Sequence, residues 1–467
     1  MKKRVIIIGL DCATPQLIFK EHIDDLPNIR RLLSSGIYGE LESCDPPITI
    51  PAWTVMMSGK DPGKLGIYGF RNRKDYSYDG LFFATSSEVK EDRVWDILSC
   101  NDKKVILVGV PQTYPPKKIN GYLVSCFLTP DINSQYTYPH SFRHEVEKVV
   151  GRYIFDVENF RTEDKKRLLA DIYVMTEKRF RLMKYLIKSK DWDFLMGVEI
   201  GVDRLYHGFW KYQDAEHPKY KEGNPFFNVI KKYHKYIDNQ VGEILDILPE
   251  NTEIMIVSDH GAKGMKGGIC INEWLIRQGY LKIIERPEVI TPLNKIKIDW
   301  KNTAAWGEGG YYSRIFLNVK GREPEGRIEP EEYERIRQEL KRRLEAIEDE
   351  NGNNIGTKVY LPEELYPVVN GTPPDLIVYL GNLDWRSVGS IGHPSFITYE
   401  NDTGPDDANH AKNGIFILNS VEHYRNSVPI KTLPPPRGNL KIMDVASTVL
   451  SLLGKEIHYE MGGKVIN

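Results

Sequence analysis

Four places along the sequence carry side chains that could bind divalent cations or attack a phosphorus centre. Asp11 directly follows the apolar run Val5 to Leu10. Asp203 follows the run Phe194 to Val202, with His207 four residues later, about one helical turn, so that both can face one point if the segment is helical. Asp259-His260-Gly261 follows Glu253 to Ser258, and in a bent loop after a strand its two polar side chains can reach one region. The fourth place is Thr49, in the proline-bounded stretch Asp45-Pro-Pro-Ile-Thr49-Ile-Pro51 ahead of a helix expected from about Ala52. Each has an ordinary explanation. An Asp after a strand commonly caps the next helix, Asp-x-x-x-His pairs are frequent on helical surfaces, Gly261 could supply the positive φ of a turn, and Thr49 could be an N-terminal cap. Three acidic sites at equivalent positions outweigh that explanation. A mixed carboxylate and imidazole set suits zinc or manganese, and two groups of ligands suit two ions about 3.5–4 Å apart. A threonine hydroxyl activated by such an ion is a nucleophile, and a helix N-terminus beside it favours a phosphate anion.

The elements needed to bring these residues together are legible. Short β-branched runs at Val5–Leu10, Lys104–Val110, Phe194–Val202 and Glu253–Ser258 read as strands covered on both faces. Helical stretches lie between them, roughly from Thr162 to Lys188 and from Phe226 to Leu248. The alternation predicts an α/β fold: a doubly wound, mostly parallel sheet sandwiched by helices, with ligands gathered beyond the carboxyl ends of the strands. Residues 286–362 read differently, with Pro287, Pro292, the glycine-rich Trp306-Gly-Glu-Gly-Gly310, a strand from Tyr311 to Val319 and a highly charged helix from Glu329 to about Ile347. They are expected to form an inserted cap subdomain, with 1–285 and 363–467 making the catalytic domain. Strands return at Asp375–Leu380 and Gly414–Leu418, and a helix near Asp444–Leu453 follows.

Composition sets wider bounds. The 467 residues include 63 Lys plus Arg and 65 Asp plus Glu, a formal net charge of −2 that argues against a generally basic nucleic-acid binder. The apolar run after Lys2-Lys3-Arg4 ends at Asp11, too short for a signal peptide or a membrane span. Cys12, Cys44, Cys100, Cys126 and Cys270 are scattered and odd in number, which speaks against a disulfide framework or a cysteine zinc site and fits a reducing cytoplasm. Length alone suggests about three domains at roughly 150 residues each. Candidate ligands spread from Asp11 to His260 must converge on one centre, however, so most of the chain is expected to be one domain carrying an insertion.

Taken together, Asp11, the Thr49-Ile-Pro51 loop running on to Ser58-Gly59, Pro62 and Gly66-Ile67, Asp203 with His207, and Asp259-His260-Gly261 resemble the alkaline phosphatase superfamily. Within it the sequence is similar to the type I phosphodiesterase and nucleotide pyrophosphatase branch. The resemblance implies an alkaline phosphatase-like fold and two divalent ions, zinc or alternatively manganese. Asp203, His207 and His410 would hold one ion, with His393 as the rival for the last position; Asp11, Thr49, Asp259 and His260 would hold the other. Thr49 would attack phosphorus in line and pass through a phosphothreonine that water then cleaves. In one place the sequence departs from the pattern: the Asn that follows the Gly-Ile pair in diesterase relatives aligns with Phe70, which leaves Asn72 and Arg71 as candidate substrate-binding residues. The expected substrate is a small phosphate ester or nucleotide, with no stable nucleic-acid partner and no membrane span. Two further functions stay open: a cofactor-independent phosphoglycerate mutase or other phosphomutase, and a non-catalytic metal-containing binding protein.

Overall fold

The computed structural model describes residues 2–428 and 432–467. A nine-stranded sheet forms its centre, in the order Leu440–Lys441, Ile37–Glu42, Asn413–Ser420, Thr252–Val257, Arg4–Leu10, Phe194–Glu199, Val105–Val108, Gly121–Val124 and Thr137–Tyr138. The five strands from Thr252–Val257 to Gly121–Val124 are mutually parallel. Their side chains alternate between two apolar layers. Ile6 and Ile8 pack on one side with the helices Pro27–Ser35, Lys165–Ser189 and Val229–Ile247, and Val5 and Ile7 on the other with Thr49–Ser58, Val94–Cys100 and Asp444–Leu452. All four of those strand residues are 0–1% exposed, and each such side chain contributes about 1.5–3 kcal/mol by leaving water. Burial on both faces is why these strands are continuous apolar runs rather than alternating ones. The expected α/β architecture is the observed one.

Local boundaries differ where side chains intervene. The Phe194 run stops being a strand at Glu199, whose Oε1 accepts a 2.7 Å hydrogen bond from Gly201 N and starts the helix Gly201–Phe209. The long helix begins at Lys165, later than the apolar pattern implied, because the Asp164 side chain accepts from Arg167 N and caps it there. Gly261 is not in a left-handed turn: it opens the strand Gly261–Gly264, where an added Cβ would lie 2.2 Å from the Asn413 carbonyl oxygen.

A second, antiparallel sheet joins Ala305–Glu308, Ser313–Leu317, Leu376–Tyr379 and Lys358–Tyr360 in that order. The charged helix Tyr333–Glu345 packs on it through Leu340 and Leu344. The apolar cluster under this sheet runs from Ile269 to Ile397. Gly261–Gly264 also pairs with Ala408–Ala411, which brings His410 opposite Ala262, back beside the main sheet. Among the described residues no helix is long and apolar enough to cross a membrane.

Candidate metal centre

The main sheet's register decides where the acidic residues meet. Leu10 pairs with Glu199 and Gly9 with Val257, so Asp11, the helix Gly201–Phe209 and the Ser258-Asp259 corner all leave the sheet at one level, the carboxyl ends of three adjacent parallel strands. The helical turn that begins at Gly201 places Asp203 and His207 on one face, with Asp203 Oδ1 3.2 Å from His207 Nε2. His410 arrives from the other side, its Nε2 3.9 Å from Asp203 Oδ1. Two sets of side chains result, in each of which the potential ligand atoms lie within 4.8 Å of one another: Asp203, His207 and His410, and Asp11, Asp259 and His260.

Every imidazole in these sets is oriented by its other nitrogen. His260 Nδ1 bonds the Gly261 carbonyl at 3.0 Å and His410 Nδ1 the Pro47 carbonyl at 2.9 Å. A carbonyl only accepts, so in both rings Nδ1 carries the proton and Nε2 presents a lone pair inward. His207 Nδ1 faces Asp406 Oδ1 at 2.7 Å and the Ala408 carbonyl at 3.1 Å. Asp11 is held in the same way, its Oδ2 accepting a 2.7 Å bond from Trp53 Nε1, and Asp259 Oδ1 accepts from Cys12 N at 3.2 Å. The remaining atoms, Asp11 Oδ1, Asp259 Oδ2, His207 Nε2 and His410 Nε2, are buried and make no hydrogen bond within the chain. Buried polar atoms are normally satisfied. Two such atoms in each of two adjoining sets fit cations, which take lone pairs and give back charge.

The electrostatics agree. Burial, reinforced by Asp203, pushes the Asp11 carboxyl well above its usual range, and burial with Asp11 does the same to Asp259. Against burial, His207 and Arg204 hold the third carboxyl, Asp203, well below its usual range, so the deficit of positive charge lies at Asp11 and Asp259. Burial lowers His260 to about 4, and burial with the neighbouring His260 and His207 lowers His410, so both rings are neutral and able to donate a lone pair. Against the pull of burial, the Asp406 carboxylate pushes His207 up.

Thr49 lies beside the second set, its Oγ1 3.3 Å from His260 Nε2. It is the first residue of the helix Thr49–Ser58 rather than its cap. Ile48 holds the cap position and offers no side-chain acceptor, which leaves the threonine hydroxyl free to turn inward. A groove of about 340 Å³ opens in front of it, lined among others by Phe70, Arg71, Phe83, Arg161, Tyr311 and Arg314. Arg71 is exposed on this groove, with its guanidinium over the Phe83 ring at 5.2 Å. Asn72 is committed elsewhere: its Oδ1 accepts from Tyr68 N and its Nδ2 donates to the Gly69 carbonyl, both at 2.8 Å. His393 lies apart from both ligand sets, bonded to Ser390 Oγ at 2.8 Å.

Three neighbours carried no sequence signal. Asp406 is buried between His207, Arg161 and Arg386, at 2.7, 3.0 and 2.8 Å. Tyr311 stacks on His410 at 4.1 Å and on His207 at 4.8 Å, and its hydroxyl donates to Asp406 Oδ2 at 3.2 Å. Arg314 is 7% exposed, donates to the Arg71 carbonyl, and has no carboxylate partner among the described residues. No motif surrounds these residues in sequence. The nearest clue is the position of Asp406 shortly before Asn409-His410.

Compared with known families, residues 5–411 match the type I phosphodiesterase / nucleotide pyrophosphatase family. No curated protein sequence matches the chain. Among solved structures, phosphonoacetate hydrolase from Sinorhizobium meliloti 1021, in complex with phosphonoformate, is similar with TM-score 0.62 at 15% identity, covering 97% of this chain and 96% of that one. Human ectonucleotide pyrophosphatase/phosphodiesterase 5 is similar with TM-score 0.55 at 10% identity, over 98% and 96%. Its murine counterpart, an inactive Thr-to-Ala variant in complex with AMP, gives TM-score 0.56 at 10% identity over 97% and 96%. At these identities the likeness is one of fold.

Proposed function

The chain belongs to the type I phosphodiesterase / nucleotide pyrophosphatase family, whose members are metal-dependent phosphoesterases, and on that premise we propose that it cleaves small phosphodiesters or pyrophosphates with Thr49 as nucleophile. The reading rests above all on the four buried ligand atoms that make no hydrogen bond, in two sets beside which the Thr49 hydroxyl lies. Asp203, His207 and His410 would hold one divalent ion, and Asp11, Thr49, Asp259 and His260 the other; nitrogen and carboxylate donors favour zinc, with manganese the alternative. Ions bound there would neutralise the buried carboxylates, ease ionisation of the Thr49 hydroxyl and stabilise charge on the phosphoryl oxygens.

The chain's own groups do the rest. Thr49 Oγ1 attacks phosphorus, the bond to the leaving oxygen breaks, and a phosphothreonine forms that water then cleaves. The first amides of the helix Thr49–Ser58 precede its first intrahelical bond, Ala52 N to Ile48 O, and would be free to bind an incoming phosphoryl group with the helix dipole behind them. Phe70, Phe83, Tyr311, Arg71 and Arg314 along the groove suit a leaving group with an aromatic ring and negative charge, such as a nucleotide. The complex of the murine fold relative with AMP is consistent with such a ligand. Residues 286–362, which carry Tyr311 and Arg314, would act as the cap that selects this group.

The test is turnover of bis-p-nitrophenyl phosphate and p-nitrophenyl phosphate by zinc-reconstituted protein and by Thr49→Ala. Diester preference, with a loss of at least about a thousandfold in the variant, is expected. Full activity in Thr49→Ala would remove the threonine from the mechanism, and interconversion of phosphoglycerates would place the chain among phosphomutases.

A further inference from the structure

Cys12 is the one residue of the centre that the proposed reaction leaves without a task. It follows Asp11 directly and is 0% exposed, and its backbone sits at φ 66°, the left-handed region where a Cβ is unfavourable and glycine is the ordinary choice. Its N–H donates to Asp259 Oδ1 at 3.2 Å, which fixes the corner. The corner turns the thiol toward the ligand sets: Cys12 Sγ, an Asp203 carboxylate oxygen and a His260 ring nitrogen lie within 4.8 Å of one another. Asp203 belongs to one set and His260 to the other, so the sulfur lies at the boundary between them. The unpartnered atoms Asp11 Oδ1, Asp259 Oδ2, His207 Nε2 and His410 Nε2 belong to the same two sets.

A packing role explains less. Cys12 does touch the apolar layer, and its Sγ donates a 3.4 Å hydrogen bond to the Gly261 carbonyl. An apolar filler would not need sulfur, and at this φ it would not need a side chain. Strain held at a buried cluster of unsatisfied groups points to a function for the side chain that causes it.

We propose that Cys12 is an additional ligand of the metal centre, its Sγ binding a divalent cation at the boundary of the two sets and favouring thiophilic ions such as zinc over manganese. The inference rests on the two-cation reading above. Binding breaks the S–H bond, releases the proton to solvent and forms a sulfur–metal bond without any change of oxidation state. A soft thiolate added to imidazole and carboxylate donors shifts preference toward zinc, cadmium and cobalt.

The experiment is zinc K-edge X-ray absorption on the full-length zinc-loaded protein and on Cys12→Gly, with metal content measured on the same samples. Glycine accepts φ 66° without strain, so this variant is expected to fold. The wild type should show a sulfur shell at about 2.3 Å, absent in the variant while zinc is retained. Competitive loading should show zinc preferred over manganese at least about tenfold less strongly in Cys12→Gly. A wild-type spectrum fitted by nitrogen and oxygen alone, with zinc present, overturns the cysteine ligand and leaves the two-cation reading intact. A protein that takes up no zinc overturns both. A variant with Cys44, Cys100, Cys126 and Cys270 all changed to Ser covers poor folding of Cys12→Gly: loss of the sulfur shell there assigns the sulfur elsewhere and overturns the proposal, and its persistence supports it.

Discussion

Asp406 illustrates how much of a metal site is built behind its ligands. Its carboxylate faces His207 Nδ1 and is itself fixed by Arg161, Arg386 and the Tyr311 hydroxyl, so the ring that must present Nε2 has little freedom to rotate. Asp406→Asn keeps the shape but weakens both the bond to the ring and the pairing of two arginines. We expect zinc affinity, read by competition with a chelator, to fall about 10–100-fold. An unchanged affinity would show that the Ala408 carbonyl alone suffices to hold His207. The candidate ligands that cluster in the structure were legible in sequence because a metal needs particular atoms at helical or strand-end spacing, as with Asp203 and His207. Asp406 and Tyr311 were not, because orienting a ring requires only proximity and any of several polar residues can supply it.

At the scale of elements, the approach of the helix Thr49–Ser58 to the first strand depends on Gly9. An added Cβ there would lie 2.5 Å from Trp53 Cη2 and 2.9 Å from Val198 Cγ2, and Trp53 is the residue that holds Asp11. Gly9→Ala should therefore destabilise the protein by about 1–3 kcal/mol in urea unfolding. Trp53→Phe removes the nearer clash, so in the double variant part of that loss should be recovered, and additive losses would show that the helix adjusts independently. A second junction is pH-sensitive. The helix Val229–Ile247 is joined to the segment after Gln16–Glu21 by His234, whose Nδ1 is 2.8 Å from His22 Nδ1 and whose Nε2 is 2.9 Å from the Tyr206 hydroxyl. Burial and the adjacent His22 hold His234 well below the ordinary imidazole value of 6.5. The unfolded chain takes up this proton near the ordinary value and the folded chain does not, so the contribution is fully present above about 6.5 and is lost as pH falls toward the depressed folded value. In chelator-treated protein the melting temperature should drop more steeply between pH 7 and 5 for wild type than for His234→Gln. The difference between the two isolates this ring from the carboxylates, and parallel curves would refute the assignment.

At the scale of the molecule, the proposed ligands come from residues 11, 49, 203, 207, 259, 260 and 410, so on this reading a cation would bind only when the main sheet, the helix Gly201–Phe209 and the returning strand Ala408–Ala411 are assembled. Zinc should therefore stabilise the whole catalytic unit, by about 2.7 kcal/mol at a hundredfold excess over the dissociation constant, seen calorimetrically as a rise in melting temperature that a chelator reverses. Asp259→Ala should abolish the rise and His393→Ala should retain it; the opposite pattern would move the ligand set. The net charge of −2 acquires meaning at this scale, since on the proposed function attraction for an anionic substrate would have to come from the ions held there and from groove arginines such as Arg71 and Arg314 rather than from the chain as a whole. The layered α/β fold was legible in the order of residues, because strands buried on both faces must be continuously apolar, and so were the candidate ligands at the ends of those strands. The folded arrangement was needed to see which late histidine lies with Asp203 and His207, that Asn72 braces its own loop, that Tyr311, in the turn between two strands of the second sheet, covers two of the imidazoles, and that Cys12 turns inward. Apart from the Asn72 loop, whose bonds reach only four residues back, these depend on how segments up to hundreds of residues apart are brought together, and that follows from sheet register and the pairing of distant strands, which no local spacing encodes.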